Sequence, residues 1–261
     1  MGWKAFWSEI LIVVLGVVIA LAANEAMEDW AWNNKVKDAE GRLQGDIAWA
    51  FLWAAEKYAT QPCVDAQLAA LSRTVLESGE TLEPVPVQAS SVLRYVVRMP
   101  NRPYRFPVWD AVLADGSATH FAPQRQALFG RISDSMAQAR LSETETHRLM
   151  GSLLAMRDPI ALDPVVRSDL LAKINELRSM AGFEALNAQQ RMRVIADAGS
   201  APTAAIVAAF LDHSGAQTSS ADFSGTAQYC KAQGLPLADW HDFASVTAGS
   251  SLYPVGTGAP K

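Results

Sequence analysis

The chain has 261 residues, is 50% hydrophobic and 19% charged, and carries a net charge of −5 at neutral pH. That is enough for one sizeable domain with appendages. A mildly acidic chain exerts no long-range pull on nucleic acid, so no nucleic-acid partner is expected.

The first element is the apolar run Ile10–Ala23, 14 uncharged residues that would span about 21 Å as a helix. A bilayer core needs about 20 residues, a length reached if the helix also uses Ala5 to Glu9. Trp3 and Trp7 on one side, with Trp30 and Trp32 on the other, suit interfacial belts. Lys4 precedes the run, whereas Glu25, Glu28 and Asp29 follow it, which favours the N-terminus in the cytoplasm. Ala20-Leu21-Ala22 offers a signal-peptidase site. Against cleavage, Glu9 and bulky Trp3, Phe6 and Trp7 crowd the start, and helical sequence runs straight on. The expectation is a retained transmembrane anchor over 1–24, single-pass in a bacterial inner membrane, with the bulk of the chain periplasmic.

Within the anchor, Gly16 and Ala20 form a small-xxx-small pair with Ala23 nearby, a pattern that lets membrane helices approach closely. The stretch "FWSEILIVVLGVVIALAA" resembles the N-terminus of type IV pilins and pseudopilins, which have Phe, a Glu and an apolar run. The chain departs from that pattern: Ala5 stands where those proteins have Gly, and Glu9 is the fourth residue from Phe6, not the fifth. The resemblance implies a fibre subunit with a β-sheet after its helix. The longer stretch "EILIVVLGVVIALAANEAMEDW", leading into a polar stalk and an α-rich domain, is similar to uncharacterised single-pass membrane proteins of proteobacteria. That resemblance covers mainly the first 60 residues and implies topology without an activity.

Residues 25–60 predict a stalk and a first domain helix, with Leu43, Ile47, Phe51, Ala54 and Tyr58 at helical spacing. The run "IAWAFLWAA" (47–55) is apolar nearly all round and predicts burial, Trp49 and Trp53 included. Gln61-Pro62 predicts the start of a new helix that ends near Ser78-Gly79. "GETLEPVPVQASS" (79–91) reads as a loop, "SVLRYVVRM" (91–99) as strand or helix, and "PNRPYRFP" (100–107) as an irregular link. From residue 108 the pattern is helical: "VWDAVLADG", then 122–140, then a helix opened by a Ser142-x-x-Glu145 capping box. Asp163-Pro164 starts a helix to about Met180, Asn187 caps another to about Gly199, Pro202 opens "TAAIVAAFLDH", and Asp222 to Gln233 is the last. The predicted fold class is all-α: an N-terminal transmembrane helix continuing into a long stalk helix, then an extracytoplasmic multi-helix domain of about eight helices over 61–243 and a flexible tail over 244–261.

Cys63 and Cys230 are the two cysteines, an even count that suits a disulfide in an oxidising compartment. A bridge would tie the last helix back onto the N-terminal pair.

Motifs for chemistry are sparse. His120, His147, His213 and His241 form no HxxxH, HxH or HExxH pattern, and no GxSxG, Walker loop or GxGxxG occurs. The sequence therefore predicts no catalytic residue, no metal site and no cofactor. One cluster stands out: Arg94, Arg98, Arg102 and Arg105, interleaved with Tyr95, Tyr104 and Phe106 and free of acidic neighbours between Glu83 and Asp110. Arginine's fork suits carboxylates and phosphates, so these four residues are the candidate contact for an anionic partner; they equally suit pairing with Asp and Glu of neighbouring helices. The expected function is a non-enzymatic interaction or assembly protein, an accessory or scaffolding subunit of a membrane complex or a homo-oligomer. Its expected partners are the lipid bilayer and other membrane or periplasmic chains, or a second copy of itself. The alternatives are a ligand-binding or cell-wall-binding module, a pseudopilin-like subunit or an enzyme.

Overall fold

The computed structural model describes residues 3–86, 88–89, 94–213 and 225–244, and the fold is all-α. Its spine is α1, Trp3–Glu77, a single helix of 75 residues, about 110 Å long at ~1.5 Å per residue. From Trp7 to Ala31 every residue is exposed. This part of α1 is long and apolar enough to cross a membrane, and none of its most apolar window is buried. Packing begins at Trp32, whose ring stacks on His120 with centroids 3.9 Å apart. Lys35 follows, 3.1 Å from Asp115.

The other elements are built around residues 39–77 of α1. They are β1 (Thr81–Leu82), β2 (Gln88–Ala89), β3 (Arg94–Tyr95), α2 (Pro107–Ala114), α3 (Pro123–Leu153), β4 (Ile160–Ala161), α4 (Pro164–Asp197), α5 (Ala204–His213) and α6 (Thr226–Ala232). The two-residue strands pair antiparallel, β1 with β4 and β2 with β3. Of the predicted stretch 91–99 the described part is 94–99, and there Arg94–Tyr95 is strand. Contacts set the bundle's directions. On α3, Arg125 meets Glu40 and Glu143 meets Lys57, so α3 runs with α1. On α4, Arg178 meets Asp65 and Glu184 meets Lys57, so α4 runs against it.

Several predicted breaks are absent. α1 passes through Pro62, where a missing N–H and a ring clash normally end a helix. Just before the proline, the Glu56 carbonyl accepts the Thr60 hydroxyl at 2.8 Å and the Ala59 carbonyl accepts the Ala238 N–H at 2.8 Å. Ser142 caps nothing: it is buried in the middle of α3, because the apolar stripe Leu128–Ile132–Met136 continues through Thr146, Leu149 and Leu153. Asn187 likewise lies inside α4, whose stripe runs from Leu170 to Ile195. Six α-helices result among the described residues. The predicted cap at Asp163 is present, its carboxylate accepting the N–H of Val165 and Val166, each at 2.8 Å. The C-terminal end of α1 is closed by Arg167, which donates to the carbonyls of Val75, Leu76, Ser78 and Gly79.

Two apolar clusters stack along the bundle. One joins Leu43, Ile47 and Phe51 to Trp109, Phe121, Phe129, Ile132, Met192 and Ile195. The other joins Leu68, Leu71 and Val75 to Leu82, Leu149, Leu153, Met156, Ile174 and Leu177. Trp49 departs from the predicted burial: it is 50% exposed, set edge-on to Phe210. The ring of Trp53 is half-buried against Tyr104. Cys63 and Cys230 are fully buried and bonded, with Cα atoms 6.0 Å apart. The bond fixes α6 to α1 next to Pro62. The sequence-predicted tail beyond Ala244, the Ser214-Gly215 pair and the start of the last predicted helix at 222–224 lie outside the described residues.

Candidate functional site

Between the two apolar clusters lies a layer of buried charge. Lys57 comes from α1, Glu143 from α3 and Glu184 from α4, each with 6% exposure or less. The Lys57 ammonium has three donors, and all three are used: Glu184 at 2.8 Å, Glu143 at 3.0 Å and the Pro100 carbonyl at 3.2 Å. The second oxygen of Glu184 accepts the Thr146 hydroxyl at 2.9 Å. His147, on the rim, is 3.8 Å from Glu143. Beside this triad, buried Glu56 takes both its oxygens to the Arg102 fork, at 2.6 and 3.0 Å. Arg191 of α4 is also buried and donates to the hydroxyl and carbonyl of Ser135 at 2.9 and 3.0 Å. Its guanidinium lies 5.6 Å from the ring centre of Tyr104.

Tyr104 is held at φ 41°, a left-handed conformation that L side chains rarely adopt. Its hydroxyl is buried without a hydrogen-bond partner among the described residues.

The electrostatics follow from this crowding. Burial alone disfavours the Lys57 ammonium. The negative charge around it, from Tyr104 when ionised and from Glu184 and Glu143, outweighs burial and holds the pKa above the ordinary lysine range. Burial raises the Glu143 carboxyl, Lys57 opposes, Glu184 adds repulsion, and the net direction is up. Burial pushes Tyr104 up to about 12, so it is a neutral phenol at physiological pH. Burial pulls Arg191 down. The cavity lined by Lys57, Tyr104, Glu143, Glu184 and Arg191 measures about 10 Å3, room for about one water molecule. Perturbed groups converge here as they do in active sites, but an organic substrate does not fit between them.

The sequence reading singled out none of Lys57, Glu143, Glu184 and Arg191, and it named Tyr104 only as an aromatic between arginines. Of the predicted arginine cluster, Arg102 turns inward to Glu56, with its guanidinium 5.3 Å from the Phe210 ring centre. Arg98 is half-buried, and its backbone exchanges two hydrogen bonds with the Gln67 amide, at 2.8 and 3.1 Å. Arg105 is exposed. The side chain of Arg94 lies outside the described residues. The described members therefore do not converge on one anion site. Gly16, Ala20 and Ala23 lie on the exposed part of α1. No group of acidic, histidine and cysteine side chains among the described residues could hold a metal ion. No family model, no curated protein and no solved structure matches the chain.

Proposed function

We propose that the protein is a single-pass, non-enzymatic membrane protein. The exposed N-terminal third of α1, with its apolar run, anchors it in a bacterial inner membrane with its N-terminus in the cytoplasm. The helical domain stands in the periplasm as an interaction or assembly subunit. The observation that carries this reading is the junction at Ala31–Trp32. A wholly exposed helix, apolar to Ala23 and polar from Asn24, continues without a break into the central helix of a packed bundle. Such a surface in water would be a strong aggregation liability, whereas in lipid it is satisfied. The buried Cys63–Cys230 bond fits an oxidising compartment. From Ala23 to Trp32 the helix rises about 14 Å, which sets the bundle close to the lipid headgroups.

Native mass spectrometry of the protein extracted from its own membranes tests the proposal. The expected result is a chain mass that includes residues 1–22, flying as a homo-oligomer or with other chains. A mass lacking those residues overturns the anchor, and an isolated monomer in mild detergent overturns the assembly role.

The face for self-association would be Gly16, Ala20 and Ala23. A side chain at Gly16 meets nothing within 4 Å in the monomer, so Gly16→Ile leaves the single chain undisturbed. The substitution is expected to weaken self-association in a membrane two-hybrid assay; an unchanged signal removes this face from the assembly.

A further inference from the structure

A second, larger cavity opens on the outer side of the charged layer, between α3 and α4. It measures about 170 Å3 and is lined by Arg131, Ile132 and Ser135 of α3 and by Gln190, Arg191 and Val194 of α4. Arg191 lines both spaces: one side faces the inner cavity with Lys57 and the glutamates, the other faces this groove. Its described polar partners are the hydroxyl and carbonyl of Ser135, neither of which carries charge. A guanidinium has five N–H donors, so two bonds leave donor capacity unused. The layer's three carboxylates are engaged elsewhere, Glu143 and Glu184 with Lys57 and Glu56 with Arg102. A buried cation without a charged partner carries a desolvation penalty that an anion would relieve. One turn from Ser135 on the same helix, Arg131 is exposed and makes no ion pair among the described residues. The groove thus presents two guanidinium groups, a hydroxyl and an amide, with no carboxylate in its lining.

We propose that this groove binds a small solute oxyanion, a carboxylate or a phosphate group, clamped between Arg131 and Arg191 and oriented by Ser135 and Gln190. Guanidinium forks match the geometry of both groups. The volume lies below the ~300 Å3 at which pockets for drug-sized ligands begin, so the occupant is a small solute and not a peptide. Ile132 and Val194 supply an apolar wall for a short carbon tail. Occupancy would bridge α3 and α4 beside the charged layer, so the solute would also stiffen the contact between those two helices.

The test is isothermal titration calorimetry of the full chain in detergent micelles, with inorganic phosphate and succinate titrated separately at ionic strength matched with chloride. Saturable binding of at least one anion is expected, with Kd on the order of 1 mM. The tighter of the two identifies the tetrahedral or the planar group as the ligand chemistry. Arg131→Ala should weaken binding about tenfold. Gln190→Glu, which places a carboxylate in the groove, should abolish it. Both positions are exposed, so the melting temperature of each variant without added anion should stay within about 2 °C of the parent. Absence of saturable heat with either anion, or equal affinity in both variants and the parent, overturns the site.

Discussion

Replacing Lys57 with methionine should destabilise the domain by about 3–5 kcal/mol, because it leaves Glu143 and Glu184 buried without their shared cation. For a domain of this size that corresponds to a fall in Tm of roughly 6–20 °C. The loss should depend on pH, and the direction follows from the two shifts. Lys57 is raised in the fold, so its stabilisation is fully present below the ordinary lysine value and is lost only as pH climbs through the elevated one. It therefore acts across the whole physiological range. Glu143 is also raised, so its contribution is fully present below the ordinary glutamate value and is lost as pH rises through its folded value. In Lys57→Met the lysine that holds this carboxyl down is gone. Burial and Glu184 then push it further up. The deficit should be largest at pH 8 and narrow towards pH 5 as the carboxyl takes up a proton. The triple variant Lys57→Met, Glu143→Gln, Glu184→Gln removes the charges together and should recover most of the loss. Circular dichroism melts of the parent and the two variants at pH 5 and pH 8 measure this. A deficit below about 1 kcal/mol, the range of an exposed pair, would show that the layer is not desolvated as its geometry requires.

The buried layer also shows where the sequence was readable. Helix content, the Asp163 cap, the apolar N-terminal run and the Cys63–Cys230 pairing follow from local or counting rules, and those rules hold here. The boundaries predicted at Pro62, Ser142 and Asn187 are absent because each is a local signal that a continuous apolar stripe overrides. Those local signals also mask the layer in the sequence. With α3 broken at Ser142, Glu143 stands near a helix start, a place where an acidic residue is ordinary. With α3 intact, Met136, Glu143, Thr146 and Leu149 share one buried face, and the glutamate becomes a charge in a core position. Glu184 and Arg191 read the same way once Ala181 and Ala188 are placed on one continuous α4. Lys57 carried a visible hint, since Glu56-Lys57 interrupts the otherwise apolar face of "FLWAAEKYAT". The pairing of Arg102 with Glu56, 46 positions apart, had no local signal at all. It depends on the irregular 96–106 segment folding back over α1, which tertiary packing decides.

Removing the disulfide with Cys63→Ala and Cys230→Ala should cost about 5 kcal/mol, the chain-entropy value for a bond that closes a span of 167 positions. The loss should not be spread evenly. α6 has only seven residues, and the disulfide is its one covalent tie to α1. The segment 225–244 also buries Ala227 and Trp240 in the first apolar cluster, and it is tied down by the Ala238 N–H on the Ala59 carbonyl, the Lys231–Asp212 ion pair, the edge contact of Phe243 with Tyr58 and Arg193 over the Phe243 ring. The ion pair is exposed and worth little. A helix this short does not persist without such anchorage. Hydrogen exchange should therefore accelerate first over 225–244 in the alanine variant, while the faces of α1, α3 and α4 around Lys57 stay protected to higher denaturant. A second effect should appear at Pro62. There the Ala238 N–H is an added donor to the Ala59 carbonyl, next to the Tyr58 carbonyl whose i+4 N–H Pro62 lacks, and its departure uncovers that turn of α1. Residues 58–62 should thus lose protection together with α6, although they belong to the longest helix in the molecule. If stability falls by less than about 1 kcal/mol and exchange over 225–244 is unchanged, the bond is not what holds α6. If instead exchange rises uniformly over the whole bundle, α6 is part of the cooperative core, and the proline turn does not need its cover to stay helical.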